Sequence, residues 1–169
     1  MTISFIIPTI GRRTLSRTIE SIKARPGDEI LVSVDAQKSG GWGNLQRNDC
    51  IYRAEGDYLA FIDDDDWYVA DARDIMERAI VENPGLPNLF KIQYPNGELK
   101  WTTPEVVPGN VSTQMILIPN DPLMFDMWVP KRNMADCIFI QSWKWPRIVW
   151  REEIIAQLAH NDGDYGQNT

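Results

Sequence analysis

The chain has little of several things that mark particular classes of protein. Its 169 residues include two cysteines and one histidine, too few for a disulfide framework or a cysteine-rich metal knuckle. Positive charge is also in deficit, because 17 Lys and Arg stand against 24 Asp and Glu and leave a formal net charge of -7. Non-specific nucleic-acid binding needs a basic face, so nucleic acid is not an expected partner.

Long apolar runs are missing as well. The first one, at residues 3–10, is interrupted by a proline, and its basic pair Arg12-Arg13 follows it where a signal peptide would have the pair precede. No stretch reaches the roughly 18 apolar residues of a membrane span. We therefore expect a cytoplasmic protein without a membrane span, in which Cys50 and Cys137 are reduced and buried.

The order of the apolar patterns predicts an α/β fold. Short, β-branched runs at residues 3–9, 29–34 and 58–62 predict buried strands, and apolar residues at helical spacing between them predict helices near 14–24 and 45–54. Strands that alternate with helices form a parallel sheet, whose ligands bind beyond the carboxyl ends of the strands. The length is that of one domain.

Each of the three strands ends in a polar side chain that suits a ligand, namely Thr9, Asp35 and the acidic run 63–66. Two unit charges about 4 Å apart repel by roughly 1 kcal/mol in water and by about 4 kcal/mol at an effective dielectric of 20, so four successive aspartates need a positive partner. Mn²⁺ or Mg²⁺ takes one or two carboxylates and completes its shell with water and substrate phosphates. The pattern favours a metal-bound diphosphate at this edge.

The acidic run has three other possible interpretations. A solvated acidic loop stays open as the alternative. A calcium loop of the EF-hand type fails, because Tyr68 stands where its glycine belongs and Asp74 where its bidentate glutamate belongs. A phosphatase of the haloacid dehalogenase type carries its Asp-x-Asp after the first strand, whereas here the motif follows the third and precedes Trp67.

The second half of the chain has a different pattern. Asp71 is a candidate N-cap for a helix, and Pro95-Asn96-Gly97 between residues 89–94 and 98–103 predicts a hairpin. Further strands are predicted at 113–118 and 147–150. An amphipathic helix is predicted from Glu152 to His160, followed by a frayed polar tail at 161–169.

Several of these residues together resemble family 2 glycosyltransferases with the GT-A fold. The resemblance covers about residues 3–75 and is carried by Ile6-Ile7-Pro8-Thr9, Val34-Asp35, Arg47-Asn48 and Ala60-Phe61-Ile62-Asp63-Asp64-Asp65-Asp66-Trp67-Tyr68. It implies a GT-A domain over 1–169, with a Rossmann-like nucleotide-binding half at about 1–75, an acceptor half at about 86–160, a mixed central sheet and helices on both faces. It also implies an inverting, metal-dependent hexosyltransferase (EC 2.4 class) that transfers a sugar from a nucleotide sugar, with UDP favoured, to an acceptor hydroxyl.

The resemblance assigns a role to each matched residue. Pro8, Thr9 and Asp35 line the base pocket, where the Asp35 carboxylate accepts a hydrogen bond from uracil N3–H. Arg47 faces the uridine or its phosphates, Asp64 holds the ribose, Asp65 of the DXD motif binds Mn²⁺ or Mg²⁺, and Asp63 shares either role. The chain departs from the family at Ala36-Gln37-Lys38-Ser39, where a second Asp and a Gly-Ser are common, and at Ile10, where many members have an aromatic residue. Both departures lie in the predicted base pocket, and they therefore affect the expected preference for uracil over guanine.

The acceptor half offers a catalytic base. In the family a late acidic motif ahead of an apolar stretch supplies it, and Met134-Ala135-Asp136-Cys137-Ile138-Phe139-Ile140 resembles that motif with Asp136 alone of the usual Glu-Asp pair. The alternative for Asp136 is a helix N-cap. Asp121 and Asp126 are the substitute bases.

Three smaller assignments complete the site. His160 either completes the metal sphere, as a late family histidine does, or caps the end of the predicted last helix. Trp143-Lys144-Trp145 beside Trp150 either form a stacking platform or pack in the core, and Trp128 or Trp143 is the candidate contact for the acceptor. Lys131-Arg132 either meet donor phosphates or lie in solvent.

Two further functions compete with sugar transfer. A GT-A-like module that holds a nucleotide sugar or a metal without catalysis fits the short chain and the incomplete acidic motif. A nucleotidyltransferase would need a Gly-rich phosphate loop with a lysine near the N-terminus, which the sequence lacks.

Overall fold

The structure is a computed structural model, and it describes residues 1–130 and 134–160. Helices and strands alternate in the first half of the chain. Its elements are β1 (Ile3–Thr9), α1 (Leu15–Ser21), β2 (Glu29–Val34), α2 (Asn44–Arg53), β3 (Tyr58–Phe61), β4 (Trp67–Tyr68) and α3 (Ala72–Glu82). Strands dominate the second half, with β5 (Asn88–Gln93), β6 (Leu99–Lys100), a 3-10 helix (Thr113–Met115), β7 (Ile116–Pro119), α4 (Ala135–Gln141) and β8 (Val149–Gln157).

One mixed sheet contains strands from both halves. Its order is β2-β1-β3-β7-β5-β8-β4, with β6 beside β5. β1 pairs in parallel with β2 and β3, β7 is antiparallel to β3 and β5, and β8 is parallel to β5 and antiparallel to β4. Because β1, β2 and β3 run the same way, their carboxyl ends meet at one edge, as the sequence predicts.

Helices cover both faces of the sheet. Phe5 on β1 contacts Tyr68, whose backbone N–H bonds to Ser21 at the end of α1. Phe61 on β3 is in register with Ile6, the neighbour of Phe5, so it points to the opposite face. There it contacts Trp128 and the α4 residue Phe139.

The core forms around strands that are apolar on both sides. Every residue of β1 and of β3 is buried. Complete burial of this kind is typical of strands in a sheet that has both faces covered. Phe139 stacks on Trp128 with ring centroids 4.3 Å apart, and this pair anchors α4 beneath β3. Cys50 and Cys137 are buried and unbridged, as predicted.

Most predicted elements of the first half are confirmed. The strands at 3–9 and 29–34 have the predicted bounds, while the helix expected at 14–24 is shorter, because Ile22 already has an extended backbone. Asp71 occupies the N-cap position of α3 but its side chain makes no capping hydrogen bond. The hairpin around Gly97 is confirmed, with Ile92 opposite Lys100.

Two predictions for the second half are wrong. Residues 152–157 belong to β8, a strand, and the amphipathic helix from Glu152 to His160 does not form. Its short apolar run fits either period, and pairing with β5 and β4 on its two sides decides for the strand. In the strand expected at 113–118 the first three residues form the 3-10 helix. The tail at 161–169 lies outside the described residues.

Of the two interpretations of Trp143, Trp145 and Trp150, packing against the core is confirmed and the stacking platform is wrong. Trp143 packs edge-on against Trp145 and against Phe139 of the core, whereas Trp150 packs against Trp101. The rings thus serve packing in two separate places. Within residues 1–130 and 134–160, no helix has the length and apolar character that crossing a membrane requires.

A buried ion pair joins the start of the sheet to α3 and gives a test of stability. The side chains of Arg73 and Asp28 are 5% and 1% exposed, and the Asp28 carboxylate also accepts hydrogen bonds from the backbone N–H groups of Ile3 and Arg25. We expect Asp28→Asn to lower the free energy of unfolding by about 3–5 kcal/mol, because it leaves the Arg73 charge buried and uncompensated.

Urea denaturation at pH 7 measures this effect. The control is Asp49→Asn, which breaks the exposed pair between Asp49 and Arg53 and should cost about 0–1 kcal/mol. Equal losses in the two variants would contradict a structural role for the buried pair.

Candidate functional site

A cleft of about 870 Å³ opens at the carboxyl ends of β1, β2 and β3. This volume lies within the usual range for a small-molecule site, about 300–1,000 Å³. The cleft brings together all nine residues that the sequence singled out: Pro8, Thr9, Asp35, Arg47, Asp63, Asp64, Asp65, Asp136 and His160. Their roles stay predictions, but their common location follows from the fold.

The first and last carboxylates of the acidic run are held by fixed donors. Asp63 forms an ion pair with Arg47 and accepts a hydrogen bond of 3.0 Å from the Gln114 side chain. The same Gln114 amide donates to Asp66, which also accepts a 2.9 Å hydrogen bond from the backbone N–H of Ala159. Burial, together with the charges of Asp63 and Asp65, raises the pKa of Asp66 well above its usual range.

Asp64 is held from the end of β1. The Thr9 hydroxyl donates a 2.5 Å hydrogen bond to it and itself accepts one of 2.9 Å from the N–H of Gly11. Gly11 has φ of +85°, a left-handed conformation that turns the chain back toward the acidic run. Arg12 follows directly, with its Nε 3.4 Å from an Asp64 oxygen.

Asp65 lies between two groups that bear or can bear positive charge. Its Oδ2 pairs with the Arg12 guanidinium and lies 3.5 Å from Nε2 of His160. Burial raises the pKa of Asp65, and the neighbouring charge of Asp63 raises it further, while Arg12 opposes the shift. The structure thus brings the two predicted metal ligands together.

The donor set of Asp65 and His160 fits a divalent ion with a partly open shell. Among the described residues no group of three or more His, Cys, Asp and Glu side chains could hold a metal ion. Mg²⁺ and Mn²⁺ favour oxygen ligands and often take only one or two carboxylates from the protein, leaving the rest to water and phosphate. An ion held here would therefore depend on a second, anionic ligand.

His160 does not cap a helix. That alternative is wrong, because the residues before it form β8. β8 pairs antiparallel to β4, with Trp67 opposite Gln157, and this register carries the chain beyond Gln157 alongside the acidic run.

The Asp35 side chain leaves one carboxylate oxygen for a ligand. Both of its hydrogen bonds, from the N–H and the hydroxyl of Ser39 at 2.8 Å each, go to Oδ2. Across residues 1–130 and 134–160, Oδ1 accepts no hydrogen bond found in the structure. This arrangement fits the predicted contact with a base N–H, and it gives Ser39, a departure from the family pattern, a local role.

The Arg47 side chain forms part of the cleft wall, and its hydrogen bonds hold it in place. Its side chain is 4% exposed, and its guanidinium donates to the Trp42 carbonyl at 2.7 Å and to Asn44 Oδ1 at 3.0 Å. The Trp128 ring lies 5.0 Å from it. Arg47 faces the predicted position of the uridine, but its charge is already matched by Asp63.

Asp136 lies in the first turn of α4 and lines the same cleft as the acidic run. Met134, with φ of +65°, holds the N-cap position, so the N-cap interpretation of Asp136 is wrong. Burial raises the pKa of Asp136, an effect that Arg47 opposes and Asp63 reinforces. The substitute bases Asp121 and Asp126 do not line the cleft, and Asp126 is 72% exposed beside Lys144.

The structure also distinguishes between the two candidate contacts for the acceptor, Trp128 and Trp143. Trp128 lines the cleft and Trp143 does not. Lys131-Arg132 lie outside the described residues.

Two residues of the site were not predicted from the sequence. Arg12 was used only to exclude a signal peptide, although its place just after the first strand was a signal for the same edge. Gln114 was placed inside a strand, and only the 3-10 helix turns its amide toward Asp63 and Asp66.

No family model and no curated protein matches the chain. Solved structures of S. aureus TarS do match. TarS 1-349 aligns with a TM-score of 0.72 at 15% identity over 94% of this chain, and its complex with UDP-GlcNAc with 0.72 at 14% over 100%. The complex of TarS 1-349 with UDP aligns with 0.67 at 16% over 93%.

The chain has the GT-A fold. This confirms the fold class predicted from the sequence, including the mixed sheet and the helices on both faces. The chain spans about three fifths of the length of TarS 1-349, since the matches cover 60–61% of it. One cleft of this GT-A domain is thus lined by Asp63, Asp64 and Asp65, by the strand-end residues Thr9 and Asp35, and by Asp136.

The Gln114 amide generates a prediction about the acidic run. We expect Gln114→Glu to lower the free energy of unfolding by about 4 kcal/mol at pH 8, because it replaces a donor to two carboxylates with another carboxylate. Burial and the neighbouring aspartates should raise the pKa of the new group above its unfolded value. Its protonation then restores stability as the pH falls, so the loss should be smaller at pH 5.

Thermal unfolding at both pH values checks this, with Gln141→Glu as the control because Gln141 is exposed and outside the cleft. A loss that is the same at pH 5 and pH 8 would contradict an electrostatic role for Gln114.

Proposed function

We propose that the protein is a family 2 glycosyltransferase that transfers a sugar from a UDP-sugar to an acceptor hydroxyl. The observation that carries the proposal is one cleft lined both by Asp63, Asp64 and Asp65 of the acidic run and by Asp136. The likeness to TarS, whose structures include complexes with UDP-GlcNAc and UDP, supports a nucleotide-sugar donor in that cleft.

The nucleotide end of the donor lies along β1 and β2 in this proposal. Oδ1 of Asp35 accepts the hydrogen bond from uracil N3–H, since Ser39 holds the other oxygen in place. Pro8 and Thr9 form the wall beside the base, and Asp63 and Asp64 face the ribose. Arg47 fixes Asp63 by their ion pair, so the ribose meets a carboxylate in a set orientation.

Asp65 and His160 hold the divalent cation, Mn²⁺ or Mg²⁺. When bound, the ion acts as a Lewis acid that neutralises charge on the departing diphosphate. Both side chains lie at the end of rigid elements, Asp65 after β3 and His160 after β8. The low exposure of Asp65 limits competition from water for its carboxylate.

Asp136 is the catalytic base. The acceptor oxygen attacks the anomeric carbon from the face opposite the diphosphate, the bond from that carbon to the diphosphate oxygen breaks, and Asp136 takes the hydroxyl proton. The configuration at the anomeric carbon is therefore inverted. Burial raises the pKa of Asp136, which makes its carboxylate a stronger base than an exposed aspartate.

The base assignment predicts that Asp136→Asn abolishes turnover and leaves nucleotide binding intact. The substitution removes the proton acceptor, and general-base catalysis contributes typically 10²–10⁴-fold, so we expect turnover to fall by about that factor. UDP release from UDP-sugars in the presence of Mn²⁺ measures turnover, and titration calorimetry with UDP measures binding. Asp126→Asn, at an exposed position, is the matched control and should stay active.

The same assignment fixes a pH dependence. Asp136 works as a base only when ionised, and its pKa lies above the ordinary value of about 3.9. Turnover should therefore fall on acidification at a higher pH than for an exposed aspartate. Tight UDP binding without release of UDP from any donor would instead favour the non-catalytic module.

The metal assignment predicts that Asp65→Ala removes the Mn²⁺ dependence of UDP binding while the fold survives. The side chain lies at the cleft surface, so its loss opens no core cavity. Calorimetry with UDP, with and without Mn²⁺, tests this, and circular dichroism reports the fold. Asp71→Ala is the control, because the exposed Asp71 side chain makes no capping bond. Unchanged Mn²⁺-dependent affinity in Asp65→Ala would refute the assignment.

A further inference from the structure

Arg12 pairs with Asp65, the carboxylate that is proposed to hold the metal ion. Its Nε lies 3.4 Å from Asp64 Oδ1, and its Nη1 pairs with Asp65 Oδ2. The Asp65 oxygen that Arg12 contacts is also the one that faces His160. A divalent ion held by Asp65 and His160 would thus compete with the guanidinium for the same carboxylate oxygen.

The four aspartates of the acidic run differ in which groups neutralise their charge or donate hydrogen bonds to them. Asp63 and Asp66 have donors in the wall of the cleft, Arg47 and Gln114. Asp65 has Arg12 as its only Arg or Lys partner among the described residues. The inner pair of the run, Asp64 and Asp65, therefore relies on a single guanidinium.

Arg47 and Arg12 also differ in how easily each guanidinium can leave its carboxylate partner. The Arg47 side chain is 4% exposed, whereas that of Arg12 is 40% exposed. The Arg12 guanidinium is thus partly open to solvent, and a divalent ion that takes its place keeps the largely buried carboxylates of Asp64 and Asp65 compensated. A Cβ atom placed on Gly11 would meet no atom within 4 Å, so open space borders the turn that precedes Arg12.

We propose that Arg12 is a movable counter-ion that couples metal binding to nucleotide binding. Without metal it neutralises Asp64 and Asp65; when a divalent ion takes Asp65, its guanidinium turns to the diphosphate oxygens. Arginine suits both positions, because its planar fork of donors matches carboxylate and phosphate alike. This inference rests on the proposed function for the diphosphate, but the competition with metal does not.

The proposal gives Arg12 a positioning role with a measurable signature. In the absence of nucleotide, a metal ion must displace the Arg12 guanidinium, which then gains no new partner. The metal ion alone therefore binds weakly. With a diphosphate present the displaced guanidinium gains a partner, and each ligand strengthens the binding of the other by the same factor.

The first arm of the test measures Mn²⁺ alone by calorimetry on the intact protein. We expect Arg12→Gln to bind Mn²⁺ about tenfold more tightly than the wild type, because no ion pair has to be broken. Arg13→Gln is the matched control. It removes the same charge one residue away, at an exposed position outside the cleft lining, and should leave the Mn²⁺ affinity within about twofold.

The second arm measures UDP. With saturating Mn²⁺ Arg12→Gln should bind UDP about tenfold more weakly than Arg13→Gln, since the phosphates lose a guanidinium partner. The factor by which Mn²⁺ strengthens UDP binding should fall accordingly. Arg12→Lys keeps the charge but loses the fork, so its Mn²⁺ affinity should lie between those of Arg12→Gln and the wild type.

The outcomes separate the two proposals. Unchanged or weaker Mn²⁺ binding in Arg12→Gln, or an equal gain in Arg13→Gln, overturns the competition. Tighter Mn²⁺ binding with unchanged UDP affinity overturns the transfer of Arg12 to phosphate. A wild type that binds no UDP even with Mn²⁺ overturns the donor assignment, and the Mn²⁺ arm still decides whether Arg12 competes with metal.

Discussion

Four consecutive carboxylates at the end of a buried strand constrain the rest of this molecule. β3 is buried along its whole length, so the acidic run begins where the low-dielectric interior ends and its mutual repulsion is strong. The raised pKa values of Asp65 and Asp66 express that cost, since burial and neighbouring carboxylates disfavour their ionised forms. The fold must therefore bring positive groups and N–H donors to this one point.

Those donors come from parts of the chain that are far apart in sequence. Arg12 follows β1, Arg47 lies on α2, Gln114 belongs to the 3-10 helix, and the N–H of Ala159 follows β8. Each is placed by an element that pairs or packs with the sheet. The same contacts that neutralise the acidic run thus connect the first half of the chain to the second half.

Sequence reasoning succeeded where local pattern fixes position. Three buried strands in parallel put Thr9, Asp35 and the acidic run at one edge whatever the details of packing, so this part of the cleft was predictable. It failed where a role depends on a distant partner. Nothing local distinguishes Gln114 from any polar residue, and Arg12 has a function only because the turn at Gly11 points it at carboxylates more than 50 residues away.

The error over β8 shows why topology, and not the residue type alone, brings His160 beside Asp65. A helix over residues 152–160 would fix no register between its end and the acidic run. As a strand, β8 pairs Trp67 with Gln157 and Tyr68 with Ala156, so residues beyond 157 run antiparallel past those before 67. That register sets the N–H of Ala159 on Asp66 and Nε2 of His160 3.5 Å from Asp65. The pairing of β8 with β4 thus sets the path of the chain that brings the two predicted ligands, Asp65 and His160, together.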